Sequence, residues 1–448
     1  MTAVPPAPPP SPSYPWTLRP RVPAPVRRGA VVDVVIVGGG LAGVAAAHAL
    51  ALRGVTDVLV VERGGVGGPD PAAFATPGGL GGFGAVGTTV HCHHPLPALA
   101  ALAWSGLRLL EDAPEALGSD PGFRRTGHVV GVGPERVRAL AAEVAARHAL
   151  GVDVELVRRE DATALLPTAD LRDVAAFAYE ARGGSGDPAR TRHAFARAAV
   201  RAGARIRQGV VAVALATNRG GDRVTGVRLA DGQVVTAGTV LVAAGPDTAG
   251  LVGALGVRLP LRALREPVVA VDPATPLPTR VPTPVFSDLV TPQYVSADGP
   301  LLLVGRGPRG AGPAGEPPYG IGPEPAVERA GDAETERAVR RFAARFPGCP
   351  DAAFVASYAV RHHTTPDGVP AVGAAGPDGL FVAAGFGGHS LALPPAAGAL
   401  VADLMCEGAS TDPLVPASVF APDRFTTTAP PDRTHREAEA REPARAAG

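Results

Sequence analysis

The sequence predicts an α/β fold with a second, sheet-rich domain inserted into it, on three observations. First, Val31–Val37 is an apolar β-branched run broken only by Asp33, the pattern of a strand buried on both faces. "LAGVAAAHALALRG" then reads as a helix ended by Gly54, and "DVLVVE" as a second strand. Second, "RVTGVRLADGQVVTAGTVLVAAG" reads as a hairpin turning at Asp231-Gly232, followed by another buried strand at Thr239–Ala244. Third, residues 270–325 are rich in Pro and Gly and suit an irregular, antiparallel insertion.

The remaining elements follow the same rules. "ARTRHAFARAAVRAGARI" predicts a helix leading to a strand at Val210–Leu215. "LLLV" at 301–304 predicts a short strand, and "DAETERAVRRFAARFPG" a helix that stops at Pro347. Residues 1–30 and the tail from Thr426 carry much proline and little periodicity, and are expected to be disordered arms.

Composition bounds the chemistry. The chain has 448 residues, 46% of them hydrophobic, which allows two domains with sizeable cores. Its 42 basic and 42 acidic residues balance without a basic run, so nucleic acid is not an expected partner. No lysine occurs, which excludes lysine Schiff bases and the P-loop lysine. Cys92, Cys349 and Cys406 lie far apart without CxxC spacing, as expected of reduced thiols in a cytoplasmic protein. No stretch approaches the roughly 20 apolar residues of a membrane span, and the N-terminus lacks the apolar core of a signal peptide.

In "VGGGLAG", Gly38, Gly40 and Gly43 match G-x-G-x-x-G between a strand and a helix. The glycines permit a tight turn, close approach of backbone to a pyrophosphate, and close helix–strand packing. The helix N-terminus offers unpaired N–H groups and a positive dipole end to phosphates. Glu62, at the end of the second strand, is placed to take ribose hydroxyls, and an acid there argues against a 2′-phosphate. FAD and NAD both satisfy this turn.

A second glycine-rich turn, "GFGGHS" at Gly385–Ser390, again joins an apolar run to a helix-like stretch. FAD gives it a purpose. Its flavin N1–C2=O edge turns negative on accepting a hydride, and fixed N–H donors at a helix start favour that charge. The alternative is an ordinary strand-to-helix turn of small residues.

These motifs resemble the D-amino-acid oxidase superfamily of flavoproteins, in its glycine oxidase, sarcosine oxidase and dimethylglycine dehydrogenase branch. The resemblance runs from Val31 to Phe425. It is carried by "VVIVGGGLAG…VVER", "GSGDPARTRHAFARAAVRAGARI", "VLVAAGPDTAGL", "GTTVHCHHP" and, most specifically, "TTPDGVPAVG…DGLFVAAGFGGHSLALPPAAG". It implies a discontinuous Rossmann-type FAD-binding domain (31–115, 175–260 and 360–425) with an inserted mixed or antiparallel-sheet substrate domain (116–174 and 261–359).

Residue by residue, the resemblance implies that Gly38, Gly40, Ala42, Gly43, Glu62 and Arg63 hold the ADP half, with Val210 beside the adenine and Gly245 on the neighbouring strand end. Gly87, Thr88 and Thr89 would lie along the flavin, and Gly373, Gly385, Phe386, Gly387, Gly388, His389 and Ser390 around its ring edge. Tyr294 and Arg361 would bind a substrate carboxylate, Arg361 as a bidentate partner, with His389 beside the reaction. Arg361 equally suits an interdomain ion pair.

The implied activity is oxidation of a C–N bond in an amine or amino acid carrying a carboxylate, with oxygen or another electron acceptor. N-substituted glycines are the first expectation, followed by D-amino acids and cyclic imino acids; the alternatives are a dehydrogenase that passes electrons to a protein or quinone, and a flavin-carrying subunit with no substrate of its own. Departures from the family pattern are Ser390 for a glycine, one extra residue between Arg361 and "TPDG", and Leu303 where some sarcosine oxidases keep a lysine. Val355–Arg361 lacks a cysteine for a thioether, and Phe83 falls near a histidine used by dimethylglycine dehydrogenase relatives, so FAD is expected to be non-covalent.

His91, Cys92, His93 and His94 are too closely spaced for most metal sites and suit packing or a place near the flavin. No metal is expected. His362 and His363 pose the same choice between structure and substrate contact.

Overall fold

The computed structural model describes residues 31–66, 88–274, 283–306, 327–328, 330–388 and 391–425. The expected arms, Gly87, Phe83, His389 and Ser390 lie outside them.

The chain opens with the β-α-β unit read from its pattern: β1 (Val31–Val37), α1 (Leu41–Leu52) and β2 (Val58–Glu62). Gly54 takes φ +85°, a conformation that ends a helix cheaply only without a Cβ. A short β3 (Thr88–Val90) leads to α2 (Pro97–Ala116). Next come β4 (His128–Val132), α3 (Val137–Ala149), β5 (Val154–Val157), α4 (Arg159–Leu165), β6 (Ala176–Glu180) and β7 (Gly184–Gly186). Helix α5 (Pro188–Arg201) starts where Asp187 accepts a bond from the Arg190 N–H, with Pro188 at its first position.

After α5 the structure differs from the expected single strand at Val210–Leu215. Two strands form there: β8 (Arg205–Gln208), which joins β2, and β9 (Ala212–Thr217), which joins the hairpin. The charged residues of β8 hide its strand pattern, because β8 is a sheet edge with polar side chains free to reach water. Likewise β10 (Val224–Leu229) pairs with a single β11 (Val234–Val242), so the hairpin arm and the buried strand are one element.

Helix α6 (Thr248–Gly253) packs in the core beside β9 and β11, and the insertion then runs through β12 (Arg262–Asp272), β13 (Val285–Asp288), β14 (Gln293–Asp298), β15 (Leu301–Arg306), β16 (Val327–Glu328), α7 (Asp332–Arg345) and β17 (Ala353–Thr364). The chain then returns through β18 (Ala371–Ala374), β19 (Leu380–Ala384), α8 (Leu393–Cys406) and α9 (Ala417–Phe420).

Two large sheets result. The first has the order β18-β19-β11-β1-β2-β8, with β10 and β9 attached beside β11. Strands β19, β11, β1, β2 and β8 run parallel, so all their carboxyl ends share one edge. The second, nine-stranded sheet has the order β16-β17-β12-β15-β14-β13-β4-β6-β5 and is mostly antiparallel. Strand β6 belongs to this second sheet, just past the boundary expected at 175, and β17 carries it to Thr364, past the boundary expected at 360. Helix α7 covers one face through Phe342, packed with Val269, Val304 and Phe286. Among the described residues no helix is long and apolar enough to cross a membrane.

Candidate active site

The opening turn is built from backbone constraints. Gly38 has φ +108°, and a Cβ there would lie 2.3 Å from the Ala243 oxygen, so only glycine fits between β1 and β11. At Gly43 a Cβ would lie 2.0 Å from the Gly38 oxygen, which is how closely α1 rides on the turn. Among the described residues, nothing lies within 4 Å of a Cβ at Gly40, the N-cap of α1. Among them no side chain caps α1, and no acid stands in its first turn. Its leading N–H groups suit an anion.

Glu62 closes the turn from β2. Its Oε2 accepts the Gly39 N–H and its Oε1 the Gly64 N–H, both at 2.7 Å. The carboxylate thus stands at the strand end, pinned to the glycine turn. The Val210 N–H donates to the Glu62 carbonyl at 2.9 Å, which sets Val210 beside it. Arg63 pairs with Asp247 at 2.7 Å, two residues past Gly245 at the end of β11, a bridge more than half exposed at both ends. These groups fit the ADP half of FAD: a glycine cradle, an uncapped helix start and an acid at the second strand end.

The closing turn shares that edge. Strand β19 is separated from β1 by β11 alone, so the two turns stand roughly 10 Å apart laterally at about 4.8 Å per strand. Helices α1 and α8, which start from these turns, pack in direct contact. A Cβ at Gly398 would meet the Ala45 Cβ and Ala46 N at 2.7 Å and the Ala42 oxygen at 2.8 Å. Ala42, expected at the cofactor, is buried in this contact. Gly385 and Gly387 take φ +84° and +60°, left-handed values that glycine permits. The Gly387 N–H donates to the His363 carbonyl at 2.8 Å, and Phe386 bridges to Thr364, so the turn is bound to the end of β17. Beside it, the Leu391 N–H donates to the Thr89 carbonyl at 3.0 Å, bringing β3, with Thr88 and Thr89, against the start of α8. Gly373 stands apart. It lies within β18, opposite Val382, with Leu404 and Pro422 as its neighbours.

The face of the second sheet turned away from α7 carries Tyr294. Register aligns Tyr294 with Gly305 and Val268, and Val268 with Tyr358. The Tyr294 ring lies over Gly305, where a Cβ would come within 2.2 Å of it. Leu303 is buried on this face with Val268, Ala270 and Tyr358. Two residues along β12 from Val268 stands Glu266, whose Oε2 lies 2.9 Å from the His362 Nε2 of β17. Arg361 sits at the register position opposite Arg265, which bonds Glu334 of α7, so the position expected to share a carboxylate with Tyr294 falls on the other face of the sheet.

Sequence spacing did not single out Glu266 as the partner of His362, or Gly398. The first pair joins strands 96 residues apart, which no local pattern encodes. The small residues of "GVAAAHAL" and "PPAAGAL" were the available hint of a close helix contact.

The "HCHHP" segment folds into a buried polar cluster. His91 stacks on His128 at 4.6 Å, and the His128 Nε2 lies 2.8 Å from the Ser287 hydroxyl. Glu180 Oε2 accepts the Cys92 N–H at 2.8 Å, and Arg147 donates to the Cys92 carbonyl at 3.0 Å. Burial holds His93 and His128 well below the usual imidazole range, helped by Arg147. Burial pushes the Glu180 carboxyl up to about 7 and the Cys92 thiol well above its usual value. Among the described residues no three His, Cys, Asp or Glu side chains form a group able to hold a metal.

Comparison with known proteins agrees with this architecture. The family model described as FAD dependent oxidoreductase (DAO) matches residues 33–404. The 4-methylaminobutanoate oxidase (formaldehyde-forming) of Paenarthrobacter nicotinovorans is 29% identical over 394 residues, covering 84% of this chain and 44% of that protein. The chain thus spans less than half the length of that curated relative. Among solved structures, the L-proline dehydrogenase of P. horikoshii superposes with a TM-score of 0.74 at 22% identity, covering 89% of this chain and 98% of its own. The glycine oxidase of Geobacillus kaustophilus gives 0.66 at 23%, covering 88% and 98%. With a glycine cradle, an acid at the second strand end and a closing turn on one sheet edge, and a family match over most of its length, this chain belongs to the FAD-dependent oxidoreductase (DAO) family.

Proposed function

We propose that the chain oxidises the C–N bond of an amine or amino acid bearing a carboxylate, with N-substituted glycines such as sarcosine, and glycine itself, as first candidates. One observation carries the reading: the closing turn, on the same edge as the ADP cradle, abuts the sheet face that bears Tyr294. A cofactor stretched along that edge would present its ring end to this face. The 4-methylaminobutanoate oxidase is named for a substrate that is both an N-methyl amine and a carboxylate, which supports the class.

When bound, FAD supplies the two-electron acceptor. The chain's own part is positioning. The amides of the opening turn and of the start of α1 would hold the pyrophosphate, and Glu62 the ribose. Gly385–Gly388 would serve the flavin edge that becomes negative on reduction, with Thr88 and Thr89 on the neighbouring strand. Tyr294 would orient the substrate carboxylate. The substrate nitrogen reacts unprotonated, since its lone pair forms the C=N bond as hydride leaves the adjacent carbon. Water then adds to the imine and releases amine and carbonyl.

The test is an anaerobic titration of the purified holoprotein with sarcosine, other N-methyl amino acids, glycine, proline and D-amino acids. At least one N-substituted amino acid is expected to bleach the oxidised-flavin absorbance. A flavin that dithionite bleaches and no amine in the panel does would refute the proposal. Peroxide formed on admitting air distinguishes an oxidase from an enzyme that passes electrons to a protein or quinone.

A further inference from the structure

The pair formed by His362 and Glu266 is placed against the closing turn. The two side chains are 19% and 13% exposed, and the Nε2–Oε2 distance is 2.9 Å. A Cβ at Gly388 would lie 2.9 Å from His362 Nε2 and 3.1 Å from Glu266 Oε2. Gly388 is not among the residues with positive φ, so backbone conformation does not require glycine there. The space for a side chain is filled by the pair. The turn is also fixed to the pair's own strand, by the Gly387 N–H on the His363 carbonyl and the Phe386–Thr364 bridge. An imidazole and a carboxylate therefore form the floor beneath the turn.

We propose that Glu266 and His362, hydrogen-bonded to each other behind Gly388, set the electron affinity of the bound flavin. This rests on the reading above, in which the closing turn follows the flavin N1–C2=O edge. Reduction puts negative charge on that edge. A carboxylate behind the turn opposes the charge, and a histidine hydrogen bond to that carboxylate weakens the opposition, in a partly buried site where water screens poorly. With the carboxylate offset in this way, the turn's own N–H groups and the start of α8 dominate. Removing His362 unmasks the carboxylate.

The experiment is a redox titration of FAD-loaded wild type, Glu266→Gln, His362→Gln and the double variant, reading the midpoint potential. Glutamine keeps a hydrogen-bonding group at either position and removes the charge. Glu266→Gln is expected to favour reduction at least tenfold, which for a two-electron couple is about +30 mV. His362→Gln is expected to shift it oppositely, and the double variant to follow Glu266→Gln, since His362 acts through the carboxylate. Single variants that leave the potential unchanged, or move it in the same direction, would overturn the proposal. Glu266→Asp, which keeps the charge and withdraws it by one methylene, gives an independent reading should Glu266→Gln lose FAD. Its reduction should be favoured by less than tenfold, a rise below about 30 mV, and a fall would overturn the proposal. Gly387→Ala separates this idea from the reading beneath it. If Gly387→Ala alters FAD affinity or potential and the charge variants do not, only the pair's role fails. If Gly387→Ala alters neither, the closing turn is not at the flavin edge.

Discussion

Gly398→Ala tests the contact that brings the two turns together. The added methyl would meet Ala45 and Ala46 at 2.7 Å, against 3.4 Å for ordinary contact. Two of the three nearest atoms, Ala46 N and Ala42 O, are backbone, so no rotamer change relieves the clash. The helices must separate by about 0.7 Å, the difference between those two distances. Overpacking of this kind costs about 1–3 kcal/mol. Replacing a mid-helix glycine by alanine returns about 1 kcal/mol of backbone entropy. The net loss of stability is therefore small, about 1 kcal/mol. Cofactor binding has no such offset. A ligand that touches the starts of both helices must pull them back to their original spacing, so FAD binding is expected to weaken about tenfold, or about 1.4 kcal/mol. The assay is titration of the apoprotein with FAD by flavin fluorescence, with thermal unfolding of each variant measured in parallel. Gly250→Ala in α6 is the control, since nothing lies within 4 Å of its virtual Cβ. It should leave FAD affinity unchanged and stability equal or higher. A folded Gly398→Ala protein with wild-type FAD affinity would refute the argument that this helix contact sets the spacing of the two turns.

Further predictions follow from the same structure. Glu180, raised from 4.5 to about 7 chiefly by burial, keeps its proton in the folded state over a window where the unfolded chain has lost it. Its contribution is thus fully present below pH 4.5 and lost as pH rises through about 7. At about 1.4 kcal/mol per pH unit, Glu180→Gln should gain stability over wild type by on the order of 3 kcal/mol across that window. Denaturant titrations at several pH values check this, and a pH-independent difference counts against it. His93 and His128, lowered by burial, act in the opposite sense: their contribution is present above pH 6.5 and lost as pH falls. Gly305→Ala displaces the Tyr294 ring, so KM for a carboxylate substrate should rise about tenfold, the loss of one hydrogen bond to a charged group, while FAD affinity stays unchanged. Arg345 is buried between Asp288 at 2.7 Å and Asp173 at 2.5 Å. Arg345→Met should cost about 3–5 kcal/mol by stranding buried Asp288, and adding Asp288→Asn should recover much of it in chemical denaturation.

The sequence by itself determined the parts whose causes are local. The strand Val31–Val37, the glycine spacing Gly38, Gly40 and Gly43, and the acid at Glu62 are consecutive in the chain, and steric and hydrogen-bonding rules act over a few residues. Tyr294 was reached through a family resemblance, and its ring packing on Gly305 became visible only with strand register in hand. Register and helix crossing belong to tertiary structure. They decided that β8 and β9 are separate strands, that β6 joins the second sheet, and that α1 meets α8 at Gly398. They also decided that His362 meets Glu266 behind Gly388 and that four histidines share a buried cluster with Glu180 and Arg147. Each of these joins residues distant in the chain, through packing energies summed over a whole core, and no short stretch of sequence carries that sum.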